Sequence, residues 1–226
     1  MNHLSFKIFE VILMVIIALT PYLFEKVAHL RMPTGLKVSL IAFCFCALIL
    51  GDVADFYGRF VWWDLILHGL SGILLGISAY TILNAFCRKV TSGNVHNPPT
   101  TFSAIWIICF VLGIGALWEM MEYVTDGIFN LNSQQFRVST GTFDESVPLP
   151  GREALRDTME DMLMNLAGAA IIAAFVIIKK LFQEAHFVRK CASVIFALRR
   201  VILLRSYIWL TPSYIALRAV LEANII

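Results

Sequence analysis

Asp64 to Phe86 reads DLILHGLSGILLGISAYTILNAF, a run whose single formal charge sits at its first position. About 20 apolar residues at about 1.5 Å each cross the roughly 30 Å hydrocarbon core of a bilayer, so this segment reads as a membrane span. Asp64 and His68 stand i and i+4 and share one helix face. Gly69, Gly72 and Gly76 lie close by, where missing side chains let a second helix approach. An ionisable group inside such a run is costly unless paired, hydrated or metal-bound, and therefore points to function.

Four further segments have the same character: Ile8 to Phe24, Leu36 to Gly51, Phe102 to Tyr123, and Met162 to Ile178. The second is short unless it borrows flanking residues. The first follows Lys7, as a secretory signal would, but ends in Thr20-Pro21-Tyr22-Leu23-Phe24 without a small-x-small cleavage site, so it reads as a retained helix. The whole chain agrees: 226 residues are 59% hydrophobic and 15% charged, with a mean hydropathy of +0.77. Soluble domains average about 25% charged residues, which excludes a soluble enzyme. A formal net charge of +2, with no zinc knuckle, phosphate loop or basic-aromatic repeat, gives no ground for a nucleic-acid partner. The five cysteines sit in or beside spans or in the tail, and read as small apolar filler.

The expected fold is an all-α polytopic membrane protein of about five transmembrane helices with a C-terminal basic interfacial helix. Residues 1–186 form the helical bundle with its polar site. Residues 187–226 form a basic amphipathic tail, cytoplasmic or lying in the interface on anionic lipid, because Arg199, Arg200 and Arg205 interrupt a continuous span. A sixth span from Tyr207 to Leu221, containing Pro212, is the alternative. Positively charged loops stay cytoplasmic. The first connection, the third connection and the tail carry 13 of the 18 Lys and Arg residues. This places the N-terminus outside and the C-terminus in the cytoplasm of a bacterial plasma (inner) membrane. The same division puts 13 of the 16 acids on or near the outer side, an asymmetry that insertion does not require.

Three helix ends bring polar stripes to that side: Asp64 and His68; Glu119, Glu122 and Asp126; and Asp157, Asp161 and Asn165 followed by Gly168. Helix dipoles favour acids at helix starts, which accounts for Asp64, Asp157, Glu160 and Asp161 without any chemistry. Glu119 and Glu122 close a helix, where the dipole disfavours them. As like-charged neighbours they call for a proton or a cation between them. Arg152, Arg156, protonated His68 and a metal are the candidates. The expected centre comprises Asp64, His68, Glu119, Glu122 and Asp161, with Arg156, Asp157, Asn165 and Asp126 as substrate-side groups. Among these, His68, Glu119, Glu122 and Asp161 are the candidate ligands for a divalent metal, with Mg, Mn, Zn and Fe all compatible. Asn165 reads as interhelical glue to Asp64 or Glu119, and Trp62, Trp63, Trp118 and Tyr123 as an aromatic belt. The polar stretch from Gly127 to Gly151 is long for a loop and could serve as a lid.

The order Asp64-x3-His68, Glu119-x2-Glu122, Arg156-x4-Asp161-x3-Asn165-x2-Gly168 resembles the VanZ-like bacterial membrane proteins, with Glu122 in place of their Gln. A closer resemblance is to inner-membrane proteins of the YjdF type. They share the Trp/Tyr-Asp-x3-His opening, the Glu-x2-Glu-Tyr pair and the Gly141-Thr142 and Asp157-Thr158-Met159-Glu160-Asp161-Met162 segments. The resemblance spans about Leu50 to Ile178. It implies a small polytopic plasma-membrane protein with an acidic and histidine site and assigns no reaction. VanZ-like proteins are associated with low-level teicoplanin resistance. Three functions compete: a membrane enzyme acting on outer-leaflet lipid or a lipid-linked envelope precursor; a proton- or cation-linked transporter or flippase, for which a homo-oligomer would supply the pathway one chain lacks; and a scaffold in which Arg152 and Arg156 pair with the acids.

Overall fold

The structure, a computed structural model, describes residues 3–29, 31–90, 98–138 and 146–209. Gly141 and Thr142 in the long loop lie outside the described residues, as do Pro212 and most of the alternative sixth span. Helix α1 covers His3–Ala28 and α2 covers Thr34–Val53, its second half (Phe45–Val53) wound wider, with hydrogen bonds between residues five apart. A single turn, α3 (Phe56–Arg59), leads into α4 (Trp63–Val90). Then come α5 (Thr100–Phe129), a tight turn at Gly151–Leu155, and α6 (Arg156–Trp209). Among the described residues the one extended pairing is an isolated bridge between Arg137 and Pro148.

Among the described residues five helices are long and apolar enough to cross a bilayer. The second span does borrow flanking residues, running Thr34–Val53. Pro33 and Pro99 stand just before α2 and α5, where a missing N–H costs nothing. Asn130 ends α5 in a left-handed conformation (φ 55°) that Asn tolerates. Ile12, Val15, Ile16, Leu19 and Leu23 of α1 stay at least half exposed, as side chains facing lipid would. Helix α6 runs past the fifth span, through residue 187, to Trp209. The chain divides into two compact units, Met1–Ile177 and Ile178–Ile226, and every candidate site residue lies in the first.

Packing runs α1 on α2, α2 on α4 and α4 on α5. Ala79, Ile107, Val111, Ala169 and Val176 form the apolar centre of α4, α5 and α6. Helices α4 and α6 touch backbone to backbone. A methyl group placed on Gly72 would lie 2.5 Å from the main-chain oxygen of Asn165, and one on Gly168 2.6 Å from that of Gly69. Close approach at the glycines is thus what the sequence led us to expect. The amino ends of α1, α4 and α6 and the carboxyl ends of α2 and α5 share one end of the bundle. At the other end Lys37 bonds Glu25 at 3.0 Å, and Lys89 donates to the Ala28 carbonyl at 2.9 Å.

Overpacking a filled interface costs about 1–3 kcal/mol, more where the obstacle is backbone. Gly72→Ala and Gly168→Ala should therefore each lower the midpoint of thermal unfolding in detergent. Gly113→Ala, which meets open space, should leave it unchanged or raise it by the equivalent of about 0.5–1 kcal/mol. Equal effects at all three glycines would remove the close contact as their explanation.

Candidate metal centre at one end of the bundle

His68 is the hub. Its Nε2 lies 3.4 Å from Asp64 Oδ1, one turn earlier on α4, and 3.7 Å from Asp161 Oδ2 on α6. These three side chains are 9%, 13% and 3% exposed, and one donor atom from each lies within 4.8 Å of the others. Asp161 Oδ2 is sealed from solvent and takes no hydrogen bond. On the far side of the ring, Nδ1 lies 3.2 Å from Asn165 Nδ2, and Asn165 Oδ1 lies 2.5 Å from Ser71 Oγ. Asp161 and Asn165 are one turn apart on α6, and His68 and Ser71 nearly one turn apart on α4. The glycine contact brings the two pairs face to face. Asn165 is indeed interhelical glue, but its partners are Ser71 and His68 rather than Asp64 or Glu119.

The loop after α5 closes this end. Asp126 accepts the backbone N–H of Ser133 at 2.9 Å and of Gln134 at 3.1 Å, so its carboxylate shapes the loop and is not turned on His68. Gln135 donates to Asp64 Oδ2 at 3.0 Å, which fixes the carboxylate whose other oxygen faces His68. Gln134 ties the Glu119 carbonyl to the Thr158 hydroxyl at 3.3 and 3.1 Å. Glu119 is 5% exposed and both its carboxylate oxygens are buried without a well-formed hydrogen bond, beside Thr158 and Gln134. Asp157 likewise keeps Oδ2 buried and unbonded.

Glu122 turns the other way. Its Oε1 accepts the Trp118 indole N–H at 2.7 Å, so Trp118 is an interior donor rather than a member of the lipid-facing belt. Glu122 lines a chamber of about 30 Å³ together with Glu10, Asp52, Tyr57 and Asp64. A water needs about 10–15 Å³ measured in this way, so the chamber admits about two. Burial, and after it the neighbouring acids, push the Tyr57 phenol well above its ordinary value, which keeps it a neutral hydrogen-bond donor there. A second cavity of about 660 Å³ is almost wholly apolar. It is walled by α1, α2, α4 and α5, with His68, Ser71 and Asn165 among its few polar lining groups.

Arg156 is not brought in. Its guanidinium is 66% exposed and pairs with Glu160 at 2.7 Å, while Arg152 is exposed. Among the described residues no Lys or Arg pairs with Asp64, Asp161, Glu119 or Asp157, so the salt-bridged scaffold lacks its cations. The metal-compatible cluster takes Asp64 in place of Glu119 and Glu122. Sequence reading missed Ser71, Gln135 and Glu10. Ser71 sits at i+3 from His68, and Glu10, 2% exposed, is an acid inside the expected first span, so both carried a signal.

A family model described as "Predicted membrane protein (DUF2238)" matches residues 2–181. The chain belongs to that family. The DUF2238 match takes in every candidate site residue and stops before most of the basic tail. An "Uncharacterized protein" of Thermotoga maritima is 28% identical over 166 residues, 71% of either chain. No solved structure matches. The YjdF-type resemblance accords with this DUF2238 membership, and the comparisons lend the VanZ-like one no support.

Hydrogen bonds to a charged acceptor contribute about 1.5–3 kcal/mol. Asp126→Ala should accordingly speed amide hydrogen exchange at Ser133 and Gln134 by roughly 10- to 150-fold, measured by mass spectrometry on the detergent-solubilised protein. Unchanged exchange there would mean that the loop is held by other contacts.

Proposed function

We propose that this protein is a plasma-membrane metal centre, built from Asp64, His68 and Asp161, that acts on a membrane lipid or lipid-linked envelope precursor at the outer face. The observation that carries the reading is the spacing of the three donors. The separations of 3.4 and 3.7 Å from Nε2 are too long for good charge-assisted hydrogen bonds of about 2.7–2.9 Å. A tetrahedral ion with bonds of about 2.0–2.1 Å holds its ligand atoms about 3.4 Å apart.

The hydrogen bonds behind the ring support it. Ser71 has one hydroxyl proton but faces two acceptors, the His68 carbonyl at 2.8 Å and Asn165 Oδ1 at 2.5 Å. Amide oxygen and nitrogen are assigned from the network around them. Turning the Asn165 amide over gives every group a partner. His68 Nδ1–H then donates to Asn165 Oδ1, Asn165 N–H to Ser71 Oγ, and Ser71 O–H to the His68 carbonyl. In that arrangement the Nε2 lone pair points at Asp64 and Asp161, as a metal ligand requires.

One imidazole and two carboxylates suit Zn, Mn or Fe better than Mg, and three protein ligands leave a position open. Such an ion supplies an activated water or polarises a phosphoryl or acyl oxygen. Glu119, with unbonded oxygens near the cluster, is the base or the fourth ligand. The large apolar cavity behind His68 supports a lipid as the molecule acted on. A proton-linked carrier is the second reading, and the chamber shared by Glu10, Asp52, Asp64 and Glu122 favours it. Acids at one end and Lys26, Lys37, Arg88 and Lys89 at the other support an outward-facing site.

Elemental analysis of protein purified without chelator should find about one equivalent of a divalent transition metal. It should vanish in His68→Ala and Asp161→Asn at matched folding and persist in Arg156→Ala. Absence of metal from wild type, even after exposure to Zn, Mn or Fe, would overturn the metal reading in favour of the carrier. For sidedness, a membrane-impermeant maleimide on intact cells should label Val147→Cys and spare Val90→Cys in a cysteine-free background. The reverse pattern would place the site on the cytoplasmic face.

A further inference from the structure

The 660 Å³ cavity is a partly open apolar cleft between membrane spans, far larger than the few water-sized gaps that close-packed helices leave. Water does not fill it stably: apart from its His68 end it offers few polar partners, and an ordered water needs two to four. Left empty, it would forfeit dispersion contacts along its whole lining. Its walls belong to membrane spans, where the surrounding solvent is hydrocarbon.

The cavity is long and has two unlike ends. Along α4 its lining follows one stripe, His68, Ser71, Leu75, Ser78 and Ile82. Fourteen residues at about 1.5 Å each make roughly 21 Å, more than the half-thickness of a core of about 30 Å. Ser78 does not make the middle polar, because its hydroxyl is spent on the Leu74 carbonyl at 2.8 Å. Toward the far end the lining includes Thr20, Phe24, Met32 and Trp106, and the polar hydrogens there are likewise committed, Thr20 to the Ile16 carbonyl at 3.0 Å and the Trp106 indole to the Ala79 carbonyl at 3.0 Å. An occupant must therefore be a slender apolar chain with its polar atoms at one end only, beside His68, Ser71 and Asn165.

We propose that this cavity binds one acyl chain of a bilayer phospholipid, inserted along α4 past the bilayer midplane with its glycerol end at the Asp64, His68 and Asp161 cluster. The chain site stands on the cavity alone, and only the chemistry at its polar end rests on the function proposed above.

The test uses full-length protein in nanodiscs of phosphatidylethanolamine and phosphatidylglycerol. A trace phospholipid in the discs carries a nitroxide near the end of one acyl chain. Wild type should show a strongly immobilised spin component of about one chain per protein, and Leu70→Trp, a control on the exposed face of α4 that leaves the cavity open, should keep it. Ser78→Phe and Leu75→Trp fill the cavity midway and should weaken that component roughly tenfold. Filling a void does not threaten folding as emptying one does, and unchanged metal content in both variants would show that the cluster survives. Wild type without the component, or plugged variants that retain it, would overturn the proposal. So would native mass spectrometry that finds a polyprenyl lipid and no phospholipid retained. His68→Ala separates the two readings: loss of metal with the immobilised chain kept would leave the chain site standing. A metal-bound wild type with no chain would leave only the centre.

Discussion

Everything at the polar end hangs on the place where α4 and α6 touch without side chains between them. With no Cβ at Gly72 and Gly168, each backbone comes within contact distance of a carbonyl on the other helix. In a bilayer this contact cannot draw on the hydrophobic effect, because lipid tails are as apolar as leucine. Packing and interhelical hydrogen bonds must hold it. The contact fixes the helical phase as well as the distance. Asn165 is set against Ser71 and His68, and Asp161, one turn earlier, against the other edge of the same ring. A side chain on either glycine would not merely loosen the pair. It would move the Asp161 carboxylate away from Nε2.

That geometry also gathers buried acids whose charges must be met by a proton or a cation. Asp64 and Asp161 face one imidazole, and Glu119 and Asp157 are held on the adjoining helices, with no Lys or Arg pairing among the described residues. An ion withdrawn from water costs several kcal/mol even after relaxation. Structural zinc bound by small peptides releases about 10–16 kcal/mol at neutral pH, enough to offset more than one such charge. A divalent ion, on the reading proposed above, would answer the local excess of negative charge, where a lone surface arginine, contributing about 0–1 kcal/mol, would not. Arg156 pairs with Glu160 in solvent for the same reason: the ordering and desolvation needed to bring it inside have no compensating contact waiting there.

The spans were legible because length and apolarity are sufficient signals in a membrane protein, and the i, i+4 spacing of Asp64 with His68 and of Asp161 with Asn165 gave the right faces. What the sequence could not give was the rotation of one helix against another. Glu119 and Glu122 are neighbours along α5, yet the roughly 60° between positions i and i+3 is enough to set Glu122 on the acid chamber, which Glu119 does not line. Aromatic residues near span ends usually belong to the belt, as expected for Trp118, and only the fold shows its N–H on Glu122. Glu10 was overlooked for the opposite reason. It lies within a run whose other residues signal a plain anchor, although a lone acid in such a run is itself the informative residue.

The two cavities give this end of the bundle its direction. Leu48, Tyr57 and Trp118 line both, so a partition one side chain thick separates a space for about two waters, ringed by acids, from a space fit only for hydrocarbon. Tyr57 and Trp118 suit that position because each has an apolar body and a single polar tip. Trp118 spends its tip on Glu122, and Tyr57, kept neutral, brings no charge toward the apolar side. Of the groups that line the apolar side, His68 also faces Asp64 and Asp161. An amphiphile seated against this wall would meet hydrocarbon along its chain and the Asp64, His68 and Asp161 cluster at its head. Water and protons would reach the same cluster from the acid chamber through Asp64. On the proposed function, such an arrangement would keep the two reactants of a hydrolysis or transfer apart until they met at the imidazole, a separation that a polar pocket open on all sides could not provide.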